Sequence, residues 1–386
     1  MQQLHYLQAF NCLMEKCPDT CCSQWGITVT NKNKEYMQAH APELIDSIEP
    51  SDDNEFQMRR THEGDCIHLC EGRCKVHQKY GEAMLPDICQ SFPKNITAYQ
   101  DDFLVTANLA CPESLRLALE STSYTNFIQW DSITRQRTPE VVFKPQLPFD
   151  EIKINPIDWY HAAQECINDA GTTPDEMISI LLMALYPLTK WDAENHAWPD
   201  TRIFKIKSAE KLRAMLTSAT YLKQEEETMN LLQLIYELIY GNRTRYFSIL
   251  QIVDEELGSP TDEPSHVHEN YLRIKECWGQ NEKSMEPFLK NWIHARLSVV
   301  LFPLGLTPSK WYPAMINIAI EYLAVKTFLY ARNQRLNGQW TLDLLVETIQ
   351  PLAKQFHLCE PISCYEFGLK RGWNEPSKII SLVMNY

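Results

Sequence analysis

Apolar residues recur at three- and four-residue intervals through much of the second half of the chain. Thr173-Pro174-Asp175-Glu176 reads as a capping box with proline at the first helical position. There the threonine hydroxyl and the glutamate carboxylate each satisfy an orphan backbone donor. The apolar face Met177, Ile178, Leu181, Leu182 and Leu185 follows, and Pro187 marks its end. Leu231, Leu234, Ile235, Leu238 and Ile239 repeat the pattern, and Gly241 is placed to close that helix in the left-handed conformation. Ala314 to Arg332 and Leu342 to Ile349 read as further helices. No clear period-two alternation competes with them, and there is no internal repeat of fixed period. Stripes of this kind are core faces.

The pattern divides the chain into three parts. Residues 1–125 form a cysteine-rich module, residues 126–157 a connector, and residues 158–386 a helical domain. Pro139, Pro145, Pro148 and Pro156 stand within eighteen residues of the connector, a density that breaks helices and favours extended chain. The expected fold class is mainly α: a cysteine-rich metal-binding N-terminal module followed by a helical C-terminal domain. A length of 386 residues and 44% hydrophobic content suit two packed cores.

Charge narrows the partners. A net charge of −14 and the lack of a Lys/Arg block argue against nucleic acid. An acidic surface suits a cationic partner such as a lysine side chain, although acidity also serves solubility. The start, Met1-Gln2-Gln3-Leu4-His5-Tyr6, does not have the basic-then-apolar form of a signal peptide. The most apolar helical stretch, Ala314 to Leu329, is interrupted by Glu321 and Lys326 and reads as a core helix rather than a membrane span. The expected location is cytoplasmic, away from membranes.

Nine of the thirteen cysteines lie in the first 111 residues: Cys12, Cys17, Cys21, Cys22, Cys66, Cys70, Cys74, Cys89 and Cys111. In a reducing compartment such crowding points to metal or redox chemistry rather than disulfides. Closely spaced cysteines let one loop aim several sulfurs at a common centre, and remote ones close the cage. Cys166, Cys277, Cys359 and Cys364 stand singly and read as buried small hydrophobes. The nearby His62, His68 and His77 read as surface residues. Zinc sites usually show paired C-x2-C knuckles, which are absent here, and irregular all-thiolate spacing suits an iron–sulfur cluster better. Cys111-Pro112-Glu113 reads as a helix start, with the helix dipole favouring thiolate at Cys111. Only twelve glycines occur, and neither G-x-G-x-x-G nor G-x4-G-K-[ST] is present, which disfavours the common nucleotide cradles.

The stretch from Phe10-x-Cys12 through Cys21-Cys22 resembles the opening of the YkgJ-type cysteine-cluster domain, regarded as zinc- or iron-chelating. Further motifs resemble the flagellin lysine-N-methylase family: Cys66-Ile67-His68-Leu69, Gly72-Arg73-Cys74, Tyr80-Gly81-Glu82 with Leu85, Cys89-Gln90-Ser91-Phe92-Pro93-Lys94, and Cys111-Pro112-Glu113. Phe288-Leu289-Lys290-Asn291-Trp292-Ile293, ending in Leu301-Phe302-Pro303, is similar to that family's asparagine-aromatic helix and following turn. The likeness spans most of the chain. It implies methylation of flagellin surface lysines on the ε-nitrogen, with S-adenosylmethionine as donor and a [4Fe-4S] cluster associated with activity. Carried over by position, the family's cysteines match Cys12, Cys17, Cys21, Cys22, Cys66, Cys74, Cys89 and Cys111, and Cys70 is extra. Eight candidates exceed the four thiolates of one [4Fe-4S] cluster, so the ligand set stays open. Pro93-Lys94 stands where the family more often has proline-arginine.

Methyl transfer to lysine needs a neutral amine, in-line approach to the methyl–sulfur bond and exclusion of water. Trp25, Tyr80, Glu82 and Glu113 are present for proton acceptance or for holding a sulfonium, and none is singled out as catalyst. The alternative is a non-catalytic flagellin-binding protein with a structural zinc or iron–sulfur knot.

Overall fold

The computed structural model describes residues 2–23, 25–51, 55–99, 102–121, 127–129, 156–168, 172–191, 199–205, 224–240, 243–300, 307–358 and 361–385. By internal contacts the chain divides into two compact units, Met1–Ser114 with Asn126–Lys144, and Leu115–Thr125 with Pro145–Tyr386.

The first unit mixes short strands with short helices. Its four-stranded sheet runs β7 (Lys94–Tyr99), β8 (Asp102–Ala107), β1 (Gln2–Leu4), β9 (Phe127–Gln129). β7 and β8 form an antiparallel hairpin, while β1 lies parallel to β8, with Gln3 opposite Val105. β9 pairs antiparallel with β1, so the module's sheet reaches past residue 125. A second sheet has the order β2 (Thr28–Val29), β4 (Phe56–Met58), β3 (Ile48–Pro50). A two-residue hairpin joins β5 (Leu69–Cys70) to β6 (Arg73–Cys74). Its turn residues Glu71 and Gly72 both have positive φ, 51° and 73°, the geometry whose twist matches the flanking strands. The unit's helices are α1 (Asn31–His40), α2 (Lys75–Tyr80) and α3 (Asp87–Ser91), and α4 (Pro112–Glu120) begins at its edge. A core of Ile27, Val29, Met37, Leu44, Met58 and Val76 is shared by these pieces, and Cys66 is part of it.

The second unit is helical: α5 (Pro156–Ile167), α6 (Pro174–Leu185), α7 (Gln224–Tyr240), α8 (Arg243–Glu256), α9 (Pro264–Gly279), α10 (Glu282–Val299), α11 (Pro308–Leu336), α12 (Leu342–Leu358), α13 (Pro361–Lys370) and α14 (Pro376–Asn385). The capping box at α6 is formed as its sequence requires. Thr173 Oγ1 accepts from Glu176 N at 3.3 Å, and Glu176 Oε2 accepts from Thr173 N at 2.8 Å. Met177, Ile178, Leu181, Leu182 and Leu185 are all buried, as are Leu231, Leu234 and Ile235 on α7. Gly241 and Leu301-Phe302-Pro303 lie outside the described residues, as do Pro139, Pro145 and Pro148. Pro156, read above as part of the connector, instead opens α5, where its missing N–H costs nothing.

α11 is the centre of this unit. By length and composition it is apolar enough to cross a membrane, but 89% of that window is buried inside the protein. It runs past Pro313 near its start and ends at Asn337, which adopts the left-handed conformation. Trp159 stands edge-on to its Trp311 at 5.5 Å. Its interior charges are matched. Lys326 Nζ meets both carboxylate oxygens of Asp175 at 2.9 and 3.0 Å, and Arg296 binds Glu321 through two nitrogens.

Candidate metal centre

Cys22 and Cys66 are brought together by backbone pairing. Cys66 N donates to Cys22 O at 2.8 Å, beside a bridge between Ser23 and Asp65. The Asp65 carboxylate accepts from the Ser23 hydroxyl, which locks the pair of segments. Cys74 arrives from the β5–β6 hairpin. Leu69 and Cys74 are directly opposite, so they share a face, and the neighbouring pair Cys70 and Arg73 points to the other. That alternation separates Cys70 from Cys74. Cys89 comes from α3, and Cys22, Cys74 and Cys89 all pack against the core that contains Cys66. Three stretches of the chain, around Cys22, Cys66 to Cys74, and Cys89, thus deliver four thiols to one region, with Cys21 at its exposed margin.

The thiols touch one another. Cys22 hydrogen-bonds to both Cys21 and Cys74. The contact with Cys21, with burial second among the causes that raise it, pushes the Cys22 thiol up to about 12. Cys74 is raised further, chiefly by its bond to Cys22 and then by burial. Burial raises Cys66 and Cys89, and the charges of neighbouring cysteines add to it. Backbone donors oppose this rise: His68 N–H points at the Cys66 sulfur, and the N–H groups of His77 and Val76 point at Cys74. Cys74 is the N-cap of α2, so these donors are the unpaired amides of a helix start.

Cys111 has a different set of neighbours. Cys111 precedes α4, and the N–H groups of Ser114 and Glu113 point at its sulfur. The expectation that the helix start favours thiolate there is corrected by the environment: burial dominates and pushes the thiol up to about 12. Cys12 and Cys17 are near enough to raise it further through their charges. Cys12 is exposed, and Cys17 Sγ donates to Asp19 O at 2.6 Å. The eight cysteines carried over by resemblance therefore do not share one set of neighbours.

Among the described residues, no three His, Cys, Asp or Glu side chains already form a group arranged to hold a metal ion. The sulfurs converge without standing as a finished cage. Their chemistry still fits a thiophilic ion: an all-sulfur set, buried at Cys66 and partly buried at the other three, with amide donors aimed at Cys66 and Cys74. Without a cation, burial keeps these thiols protonated, whereas a bound cation reverses that preference and releases the protons.

Other residues named from sequence have local roles. Trp25 Nε1 donates to Cys21 O at 2.6 Å, and its ring meets Phe92 edge-on at 5.1 Å. Tyr80 donates to Glu43 beside Lys79, Glu82 is exposed, and Glu113 is buried. His62 is a surface residue paired with Glu63. His68 is not on the surface; it is half-buried, and its Nε2 lacks a hydrogen-bond partner. Sequence reasoning passed over it, and its place two residues after Cys66 was the available signal. Cys166 and Cys277 are partly rather than fully buried, and Cys277 Sγ accepts from Asn333 Nδ2 at 3.6 Å. Cys359 lies outside the described residues, and Cys364 lies in α13. In the asparagine-aromatic segment of α10, Asn291 Nδ2 donates to Leu119 O at 2.6 Å and Trp292 is buried.

Compared with protein-family models, with curated proteins and with solved structures, the chain has no match.

Proposed function

We propose that this chain is a methyltransferase that moves a methyl group from S-adenosylmethionine to the ε-amine of surface lysines of flagellin. Its amino-terminal module would hold an iron–sulfur centre on Cys22, Cys66, Cys74 and Cys89. The observation that carries the metal part is the gathering of those four thiols, from three stretches of the chain, at one apolar core: Cys66 is part of it, and the partly buried Cys22, Cys74 and Cys89 pack against it. The methyl-transfer part is supported by the motifs that resemble flagellin lysine-N-methylase, Cys66 to Cys74, Cys89 to Lys94 and Cys111 to Glu113.

An iron–sulfur centre held by these thiolates would supply a redox-active group. The chain's own contribution is positional. The amides of His68, Val76 and His77 stabilise charge on sulfur, and the hairpin turn at Glu71-Gly72 sets which face Cys74 presents. Iron and sulfide analysis of the purified chain, followed by incubation with flagellin and labelled S-adenosylmethionine, tests the proposal. Cys22→Ser with Cys74→Ser should abolish both the brown colour and methylation. Full methylation by a protein without the centre refutes the link between the two.

A structural zinc knot on a flagellin-binding protein is the second reading. Four thiols with no open position, set against the apolar core that holds Val29, Met58 and Val76, would suit the closed four-ligand arrangement of structural zinc sites. A colourless zinc protein that binds flagellin without methylating it selects that reading.

A further inference from the structure

α3 is a helix of five residues, too short to hold itself together, and its first amides need partners from elsewhere. Pro86, at its N-cap, has no side chain to accept them. Asn33 does so from α1: its Oδ1 accepts from Asp87 N at 3.2 Å, across 54 positions of the chain. The same oxygen accepts from Thr30 N at 3.4 Å, and Thr30 Oγ1 accepts from Asn33 N at 3.2 Å, which closes the capping box of α1. One side chain thus caps the starts of two helices, and it is only 1% exposed. Its Nδ2 is buried without a hydrogen-bond partner, so the acceptor half of the amide carries the role. The orientation of α3 needs such a tie. Ile88 is 43% exposed, whereas Cys89, the next residue, packs against the apolar core. Burial of apolar area alone favours a rotation of the helix that exchanges the two, since an isoleucine gains more from burial than a thiol. The bond at Asp87 N holds the helix the other way about.

We propose that Asn33 is the positioning residue for Cys89: by capping α3 from α1 it keeps that thiol turned toward the core that Cys22, Cys66 and Cys74 share. The inference rests on reading the module as a thiolate metal domain and goes beyond it by naming the side chain that orients the fourth thiol. The other three have backbone ties of their own, through Cys66 N on Cys22 O and through the register that sets Cys74 opposite Leu69. Cys89 lies on a separate stretch, and Asn33 fixes that stretch through the backbone of α3 rather than by contact with an ion. Groups that orient a ligand from behind in this way change metal affinity about 10–100-fold when removed.

The test uses the full chain, reduced, first metal-free and then titrated with zinc or with cobalt(II) as a spectroscopic substitute. Iodoacetamide labelling of the metal-free chain is read by mass spectrometry, with Cys66 of the same molecule as the reference for general loosening. In Asn33→Ala the Cys89-to-Cys66 labelling ratio should rise about tenfold. Zinc affinity should fall about tenfold, and the thiolate-to-cobalt absorption should weaken with it. Asn33→Asp keeps both accepted bonds and should restore the wild-type ratio and absorption. Asp87→Pro deletes the donating amide at a helix position that suits proline and should reproduce Asn33→Ala, whereas Asp87→Ala keeps that amide and should label as the wild type does. Adding Asn33→Ala to Asp87→Pro should not raise the Cys89 ratio further. Equal rises at Cys89 and Cys66 in Asn33→Ala, or an Asp87→Pro variant indistinguishable from Asp87→Ala, overturn the proposal. A wild-type chain that takes up neither ion through its thiols strikes the parent reading instead, and the labelling ratio then decides the role of Asn33 by itself.

Discussion

Replacing Asp175 with asparagine isolates one buried charge. Lys326 lies in the middle of α11 with its side chain 5% exposed, and Asp175, at the start of α6, is 20% exposed. The lysine reaches both carboxylate oxygens at 2.9 and 3.0 Å, and Tyr322 donates to the same carboxylate at 2.6 Å. The rings of Tyr322 and Tyr330 stand 5.4 and 5.8 Å from the ammonium. Burial opposes the charge on Lys326, but Asp175 more than compensates and holds the lysine pKa above its ordinary range. Asparagine preserves shape and removes the counter-charge, so a full ammonium is left among aromatic rings. Stranding one member of a buried pair costs about 3–5 kcal/mol. Loss of a negative charge in the first turn of α6 adds about 0.3–1 kcal/mol. The unfolding constant of this unit should therefore rise roughly a thousandfold. Lys326→Met strands only the more accessible partner, which keeps the Tyr322 hydroxyl and gains water, and should cost about 1–3 kcal/mol. The double variant removes the stranded charge and should be more stable than Asp175→Asn by at least about 1 kcal/mol. Urea unfolding followed by the far-ultraviolet signal of the helices, with the slope checked for constancy, measures all three. A cost below about 1 kcal/mol for Asp175→Asn, or a double variant no more stable than that single one, refutes the reasoning.

Other consequences are simpler to test. Burial drives His294 down to about 3, and its Nδ1 bonds Gln164 in the neutral form. Because the folded pKa is depressed below the ordinary value of about 6.5, the unfolded chain binds the extra proton, and stability should fall by up to about 5 kcal/mol between pH 6.5 and 3. His294→Gln should flatten that slope in unfolding curves taken across the range. Thr173→Ala removes the hydroxyl that accepts from Glu176 N and should cost about 1 kcal/mol in the same assay. Zinc affinity of the module should climb steeply with pH, since thiols held at or above their ordinary range must each give up a proton. Chelator competition at pH 6.5 and 8 should show more than about a hundredfold difference, and a flat response would remove the thiols from the ligand set.

Long-period features were legible and short ones were not. The capping box at Thr173, the faces of α6 and α7 and the interior of α11 follow from hydrophobic spacing repeated over several turns. The strands of the first unit are two to six residues long, too brief for alternation to stand out from chance. β1 and β9 gain their identity only from pairing with each other and with β8, which no local pattern announces. Pro156 shows the opposite failure: counted with its neighbours it reads as connector, whereas its own position favours a helix start. The grouping of cysteines was invisible for the same reason as the sheet. Spacing places Cys66 and Cys74 near each other, but Cys22 joins them through a backbone pair forty-four positions away.

If the module holds the proposed ion, the state of those thiols predicts that its stability tracks that ion. A protein that needed only small apolar side chains at Cys22, Cys66, Cys74 and Cys89 gains nothing from aiming the amides of His68, Val76 and His77 at sulfur, because a neutral thiol is a poor acceptor. Amide donors matter when the sulfur is charged. Yet burial and the neighbouring thiols push every member of the group away from that state. On the proposed reading a cation in their midst would reconcile the two tendencies, turning repulsion among four sulfurs into attraction toward one centre. The first unit has a small core distributed over short strands and helices, so little else in it can supply cohesion of that size. Removing the ion should therefore loosen the hairpin at Glu71-Gly72 and the Cys22–Cys66 backbone pair together, and hydrogen exchange at Cys66 N–H and Lys75 N–H should rise in step when a chelator is added. Exchange that stays slow at both amides in the metal-free chain would show that the apolar core alone holds the module.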